Sequence, residues 1–111
     1  VLLRLVDDLG PEQVVDLCRT FLVDAQERVR ALRTAGATGD ADAASRAAHL
    51  LKSAAGFVGA GGVSARCREL EELARQDRRG GIPACIEVVA KELDHACAEL
   101  FALIGRLSPT R

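Results

Sequence analysis

The sequence predicts an all-α protein: an antiparallel, up-and-down four-helix bundle with a short additional N-terminal helix, built as one domain over residues 1–111. Three observations lead there. Apolar residues recur at alternating spacings of three and four along four long stretches, and nowhere alternate with the period of two that marks a strand. Gly- and Pro-containing breaks of only a few residues separate those stretches, so sequential helices must be neighbours. The composition has no Trp, Tyr or Met and 3 Phe within 49% hydrophobic residues, so the core must be packed from Leu, Val, Ile and Ala.

Val1–Asp8 reads as one or two helical turns covering an end of the bundle. Gly10-Pro11-Glu12 starts the next helix, because Pro is tolerated in a first turn and an acid suits the dipole there. Its stripe is Val14, Cys18, Phe21, Ala25, Val29 and Leu32, widened by Val15, Leu17 and Leu22, and Gly36 and Gly39 are expected to close it. Asp40 offers an N-cap to a third helix, which should loosen through Gly56, Gly59, Gly61 and Gly62. A fourth helix over Val63–Asp77 carries Val63, Cys67, Leu70, Leu73 and Ala74, and ends in the polar run Gln76–Arg79 before Gly80-Gly81. The last starts near Pro83 and carries Ile86, Val89, Leu93, Ala96, Leu100, Leu103 and Leu107.

Charge and cysteine usage exclude several functions. A net charge of −1 with 28% charged residues makes no electrostatic case for nucleic acid or a membrane surface. No apolar run approaches the roughly 18 residues of a spanning helix, and no signal peptide is visible. Cys18, Cys67, Cys85 and Cys97 form no C-x-x-C pair or other metal-like spacing. Each lies in or beside an apolar stripe, as buried free thiols of a reducing cytoplasm would. No metal site is expected.

The third helix carries the chemistry. On a helical wheel Ala44, Ala47, Leu51, Ala54 and Val58 share one side, within about 40° of a common direction. Ser45, His49, Lys52, Ser53 and Gly56 lie opposite, so a histidine sits in the middle of the polar face. An interior Gly costs about 1 kcal/mol relative to Ala, and what Gly56 offers in return is access to the imidazole for a large partner. Leu50 and Phe57 point sideways, about 20° apart, and suit either interhelix packing or an apolar rim for that partner.

His49-Leu50-Leu51-Lys52-Ser53-Ala54-Ala55-Gly56, continuing to Val58-Gly59-Ala60, resembles the phosphoacceptor helix of histidine-containing phosphotransfer (HPt) domains. That family's pattern is His, any residue, an apolar residue, Lys, Gly and two small residues, with a further Gly-apolar downstream. Ser53 stands where Gly is usual, which leaves the site small but not minimal. Cys67, Leu70 and Glu71 fall where the family's next helix carries a small or Cys position, a Leu, and a Glu or Gln. The resemblance implies a phosphocarrier of two-component phosphorelays. Response-regulator receiver domains and a hybrid sensor histidine kinase would be its partners, and an aspartyl phosphate on a receiver its phosphoryl source.

The residue types fit that chemistry. A neutral imidazole, with an ordinary pKa near 6.5, is a nucleophile near neutral pH, and phosphoryl transfer needs mainly positioning and charge stabilisation. An acceptor for Nδ1–H would leave Nε2 free to attack, and Glu71 is the candidate, although its acidic surroundings (Glu69, Glu72) also suit a solvated face. Lys52 is either a solvated lysine or a point charge for phosphoryl oxygens and partner. Ser45, Ser53, Gly56 and Phe57 are the candidate docking residues. The chain has no Gly-rich nucleotide loop, Walker lysine pattern or Asp cluster for Mg²⁺, so it is not expected to be an enzyme that uses ATP or to hold a cofactor. The resemblance implies that Mg²⁺ resides in the partner receiver. A monomer is expected, since four helices of one chain can close the stripes. Two other readings compete: a helical adaptor or dimerisation module without phosphorylation, and a metal bundle using Glu92-x-x-His95. The latter has one copy of a motif that di-iron bundles use twice.

Overall fold

The computed structural model describes residues 8–57, 60–76 and 79–107. Four helices make up the bundle: α1 Pro11–Thr38, α2 Ala41–Phe57, α3 Gly61–Arg75 and α4 Ile82–Leu107, with a 3₁₀ turn at Arg79–Gly81. Each packs against its neighbours in sequence and α1 closes the ring on α4, giving the expected up-and-down order. The described residues contain no strand, and none of their helices is long and apolar enough to cross a membrane. The short helix expected over Val1–Asp8 lies outside the described residues except for Asp8, which is helical together with Leu9. At about 1.5 Å per residue α1 and α4 run close to 40 Å, while α2 and α3 span little more than half of that. The site-bearing pair is therefore laid against one part of a longer two-helix frame.

Local chemistry sets the boundaries. Gly10 (φ 91) precedes Pro11 in the first turn of α1, where the missing N–H costs nothing. The helix ends on Gly39, left-handed at φ 72, whose N–H bonds back to the Ala35 carbonyl. Gly36, expected to help end the helix, lies inside it. A Cβ there would come within 2.9 Å of Ile86 Cδ1, so its bare backbone lets α4 pack close. Asp40 does cap α2, accepting the Ala43 N–H on Oδ1 at 3.0 Å.

Gly61 and Gly62 form the first turn of α3 rather than a loosened loop. A Cβ on Gly62 would lie 2.6 Å from Glu92 Oε1, so this glycine admits an α4 carboxylate to the positive end of α3. The carboxylate of the Glu92-x-x-His95 motif is thus turned to a helix terminus. Among the described residues no group of His, Cys, Asp and Glu is arranged to hold a metal ion.

The core holds no buried polar or charged residue among those described, and Leu51, Leu70 and Leu93 are 0%, 0% and 2% exposed. In α2 the buried face is Ala41, Ala44, Ala47, Ala48, Leu51 and Ala55, with Ala54 only half-buried. That face is turned about 40° from the expected stripe. The reason is that α2 packs on α1 and α3 together, so its buried direction bisects the two contacts. His49, Ser53 and Gly56 remain exposed after the turn, while Ser45 and Lys52 move to the half-buried flank. Cys18, Cys67 and Cys97 are buried free thiols, and Cys85 is half-buried.

Replacing Leu51, Leu70 or Leu93 with Ala should each cost about 2–5 kcal/mol in urea unfolding, while His49→Ala costs little. Equal losses from Leu51→Ala and His49→Ala would contradict the packing of α2.

Candidate functional site

His49 stands two turns into α2 with its side chain 62% exposed. Because α3 runs back alongside α2, Glu71 reaches it: Oε2 lies 3.2 Å from Nδ1. The other carboxylate oxygen, Oε1, lies 2.6 Å from Nζ of Lys52, one turn beyond His49 on α2. Oε1 is buried and its geometry toward Nζ departs from a well-aligned hydrogen bond, so charge and proximity hold this contact more than direction. One carboxylate of α3 thus bridges two side chains of α2.

The protonation states follow. Burial raises the Glu71 carboxyl, but the Lys52 ammonium and the His49 ring outweigh it and hold the group below its ordinary value. An ionised carboxylate only accepts hydrogen bonds, so the hydrogen between the two side chains belongs to Nδ1. The lone pair of the neutral imidazole is then on Nε2, which has no partner among the described residues. Beneath the carboxylate, burial, with the charge of Glu71 adding to it, pushes the Cys67 thiol up to about 12. Cys67 is therefore a packing residue at neutral pH.

Of the expected site residues, the structure brings His49, Lys52 and Glu71 together. Ser45 lines the groove between α2 and α3 with Lys52 and Glu71. Ser53 and Gly56 border His49 on the exposed face of α2. The Phe57 side chain lies outside the described ones. His95 is exposed on α4, beside Glu92 and Glu99 and the first turn of α3.

Two residues of α3 went unnoticed in the sequence. Ser64 donates its hydroxyl to the Lys52 carbonyl at 3.0 Å, fixing the register of the two helices one turn from His49. A Cβ on Gly56 would sit 3.6 Å from that hydroxyl, an ordinary contact, so the glycine is not needed for packing there. Arg68 lines the groove with Lys52 and Glu71. Spacing was the available signal, since Ser64, Arg68, Glu71 and Arg75 recur at three and four along one face of α3.

The Glu71 bridge sets a pH dependence. Its carboxyl is lowered on folding, so its stabilisation is complete above the ordinary value of 4.5 and is lost as pH falls through the lower folded value. The Tm difference between the parent and Glu71→Gln should be present above that ordinary value and close as the pH falls below it. A difference that persists undiminished in stronger acid would mean the ion pair with Lys52 does not form.

The comparisons with known proteins accord with this geometry. The Hpt domain model matches residues 16–103. The crystal structure of histidine-containing phosphotransfer protein B (HptB) from Pseudomonas aeruginosa PAO1 superposes with a TM-score of 0.90 at 31% identity, covering 95% of this chain and 90% of that one. No curated protein sequence matches the chain. A four-helix bundle, an exposed histidine met by a carboxylate from the next helix, and a family match over most of the chain lead to one conclusion: the chain belongs to the Hpt domain family of histidine phosphotransfer proteins.

Proposed function

We propose that this chain is a phosphorelay intermediate that accepts a phosphoryl group from a receiver-domain aspartyl phosphate onto Nε2 of His49. It then passes the group to another receiver, or back. The single observation that carries this reading is the bond from Nδ1 of His49 to Glu71, which leaves the lone pair of an exposed imidazole on Nε2.

The step balances simply. The Nε2 lone pair attacks phosphorus, the N–P bond forms, and the bond to the aspartyl oxygen breaks to return a carboxylate. The ring keeps its Nδ1 hydrogen and becomes cationic, and the fixed negative charge of Glu71 stabilises that cation as it develops. Reversal returns the electron pair to Nε2 and the phosphoryl group to a carboxylate. Glu71 neither attacks nor leaves; it holds the tautomer and orients the ring. Lys52 holds Glu71 in turn, since its ammonium is 2.6 Å from Oε1. In this reading the receiver supplies Mg²⁺ and most of the catalysis, and this chain needs no cofactor and no ATP site. The whole chain acts as one monomeric domain beside cytoplasmic receivers and the kinase that charges them. Ser45, Ser53, Gly56 and Phe57 are the docking residues of this reading, and the small size of Ser53 and Gly56 keeps the approach to the imidazole open.

Incubation with a phosphorylated receiver and Mg²⁺ should give acid-labile, base-stable phosphate on this protein, and His49→Gln should abolish it without unfolding the bundle. Glu71→Ala should slow transfer by about 10- to 100-fold without abolishing it, the range seen when a group orienting a metal-bound histidine is removed, with Glu71→Gln milder. Labelling of His49→Gln, or phosphate on His95, would overturn the assignment, and an adaptor without phosphoryl chemistry would take up no phosphate at all.

The open face gives a separate test. Gly56→Arg and Ser53→Arg should melt near the parent and still be phosphorylated by the small donor phosphoramidate, yet accept phosphate from the receiver far more slowly. Receiver transfer at the parental rate in both variants would remove the docking role of this face.

A further inference from the structure

The positive charge next to His49 is divided in an unexpected way. Lys52 lies one turn beyond His49, but its ammonium is taken by Glu71 and its side chain is only 27% exposed. Several arginines are similarly engaged. Arg66 pairs with Glu69 at 2.7 Å, Arg75 pairs with Glu72, and Arg33 pairs with Glu87 at 3.1 Å. Arg46 and Arg68 are exposed and form no ion pair with a described residue; Arg19, Arg30 and Arg106 share that state, but only Arg46 and Arg68 stand on the two helices that carry the site.

Their placement is specific. Arg46 lies three residues before His49 on α2, one turn away and about 60° around the helix, on the solvent side. Asp42, one turn further back, makes no ion pair with it. Arg68 lies on α3 between two crossings to α2: the Ser64 hydroxyl on the Lys52 carbonyl, and Glu71 on the His49 ring. It lines the same groove as Lys52 and Glu71. Two guanidinium groups without an ion-pair partner therefore stand around the site, Arg46 one turn before His49 on α2 and Arg68 in the groove beside Lys52 and Glu71.

We propose that Arg46 and Arg68 form the cationic flank that receives the acidic, phosphorylated pocket of the partner receiver, leaving Lys52 to hold Glu71. This inference rests on the phosphocarrier reading above. A receiver approaches with an aspartyl phosphate and the carboxylates around it. A guanidinium matches either group through a planar fork of donors, and loses less by partial desolvation than an ammonium does. Charges at the rim of an interface act mainly on encounter and orientation, and salt screens them. Arg46 and Arg68 are thus specificity-determining residues for docking, whereas Lys52 works inside the site.

The test compares Arg46→Glu, Arg68→Glu and Arg30→Glu. Arg30 is also exposed and without an ion pair to a described residue, but it stands on α1 beside Thr34 and the far flank of α2, so it carries the same charge change elsewhere. Transfer from the phosphorylated receiver to His49 is followed against receiver concentration, at low salt and at about 0.5 M salt. Arg46→Glu and Arg68→Glu should each lower kcat/KM about tenfold at low salt, through KM with kcat retained. High salt should remove most of the difference. Arg46→Gln and Arg68→Gln should show a smaller loss in the same direction, and Arg30→Glu should stay within about twofold of the parent.

Two outcomes would overturn the proposal: parental kcat/KM in both glutamate variants at low salt, or an equal loss in Arg30→Glu. Failure of the carrier reading itself would show differently. The parent itself would then take no phosphate on His49 from the receiver at either salt concentration.

Discussion

The structure turns on one shared carboxylate. Glu71 gives one oxygen to the His49 ring and the other to the Lys52 ammonium, joining α2 to α3 through a site with little protein around it. An exposed imidazole alone has two equivalent-looking nitrogens and free rotation about its side-chain bonds. The carboxylate removes both freedoms, because it fixes the hydrogen on Nδ1 and restrains the ring. The ion pair with Lys52 keeps that carboxylate charged and in place, so the lysine acts on the ring through Glu71.

The rest of the bundle makes this contact repeatable. Ser64 ties α3 to the Lys52 carbonyl, so the residues that meet His49 are set by a hydrogen bond near the site as well as by distant packing. Alanines at 41, 44, 47, 48 and 55 let α2 lie close against its neighbours, and Leu51 anchors the turn directly under the site. Gly36 and Gly62 do comparable work at α4, admitting Ile86 and the Glu92 carboxylate where any side chain would intrude. A core of small and branched aliphatic residues is fitting here. It holds a rigid two-helix face beneath the exposed imidazole.

Much of this was legible in the sequence because the relevant quantity is periodicity. The spacing of Val14 through Leu32 and of Ile86 through Leu103 identifies two long helices whose inward faces are unambiguous. The neighbourhood of Glu71 and His49 followed from the short connection between their helices. What stayed hidden depends on how helices meet. The phase of α2 was about 40° off, since a wheel shows which residues are apolar and not where the two packing partners stand. Alanine is weakly apolar, so Ala48 and Ala55 gave little weight to the true direction. Gly36, Gly61 and Gly62 read as terminators because glycine breaks isolated helices. Their tolerance inside α1 and α3 comes from close approach by another helix at Gly36 and Gly62, which no single segment reveals. Ser64 and Arg68 carried no local motif and gained meaning only once α2 was laid beside α3.

The central claim is that Glu71 assigns the two ring nitrogens of His49, with the hydrogen on Nδ1 and the reactive lone pair on Nε2. Long-range ¹H–¹⁵N correlation spectra of the histidine rings, recorded before and after phosphorylation, test it directly. The account predicts a protonated Nδ1 and an unprotonated Nε2 in the resting protein at neutral pH, with phosphorus coupled to Nε2 of His49 after transfer. A resting ring protonated on Nε2, or phosphorus coupled to Nδ1, would contradict it.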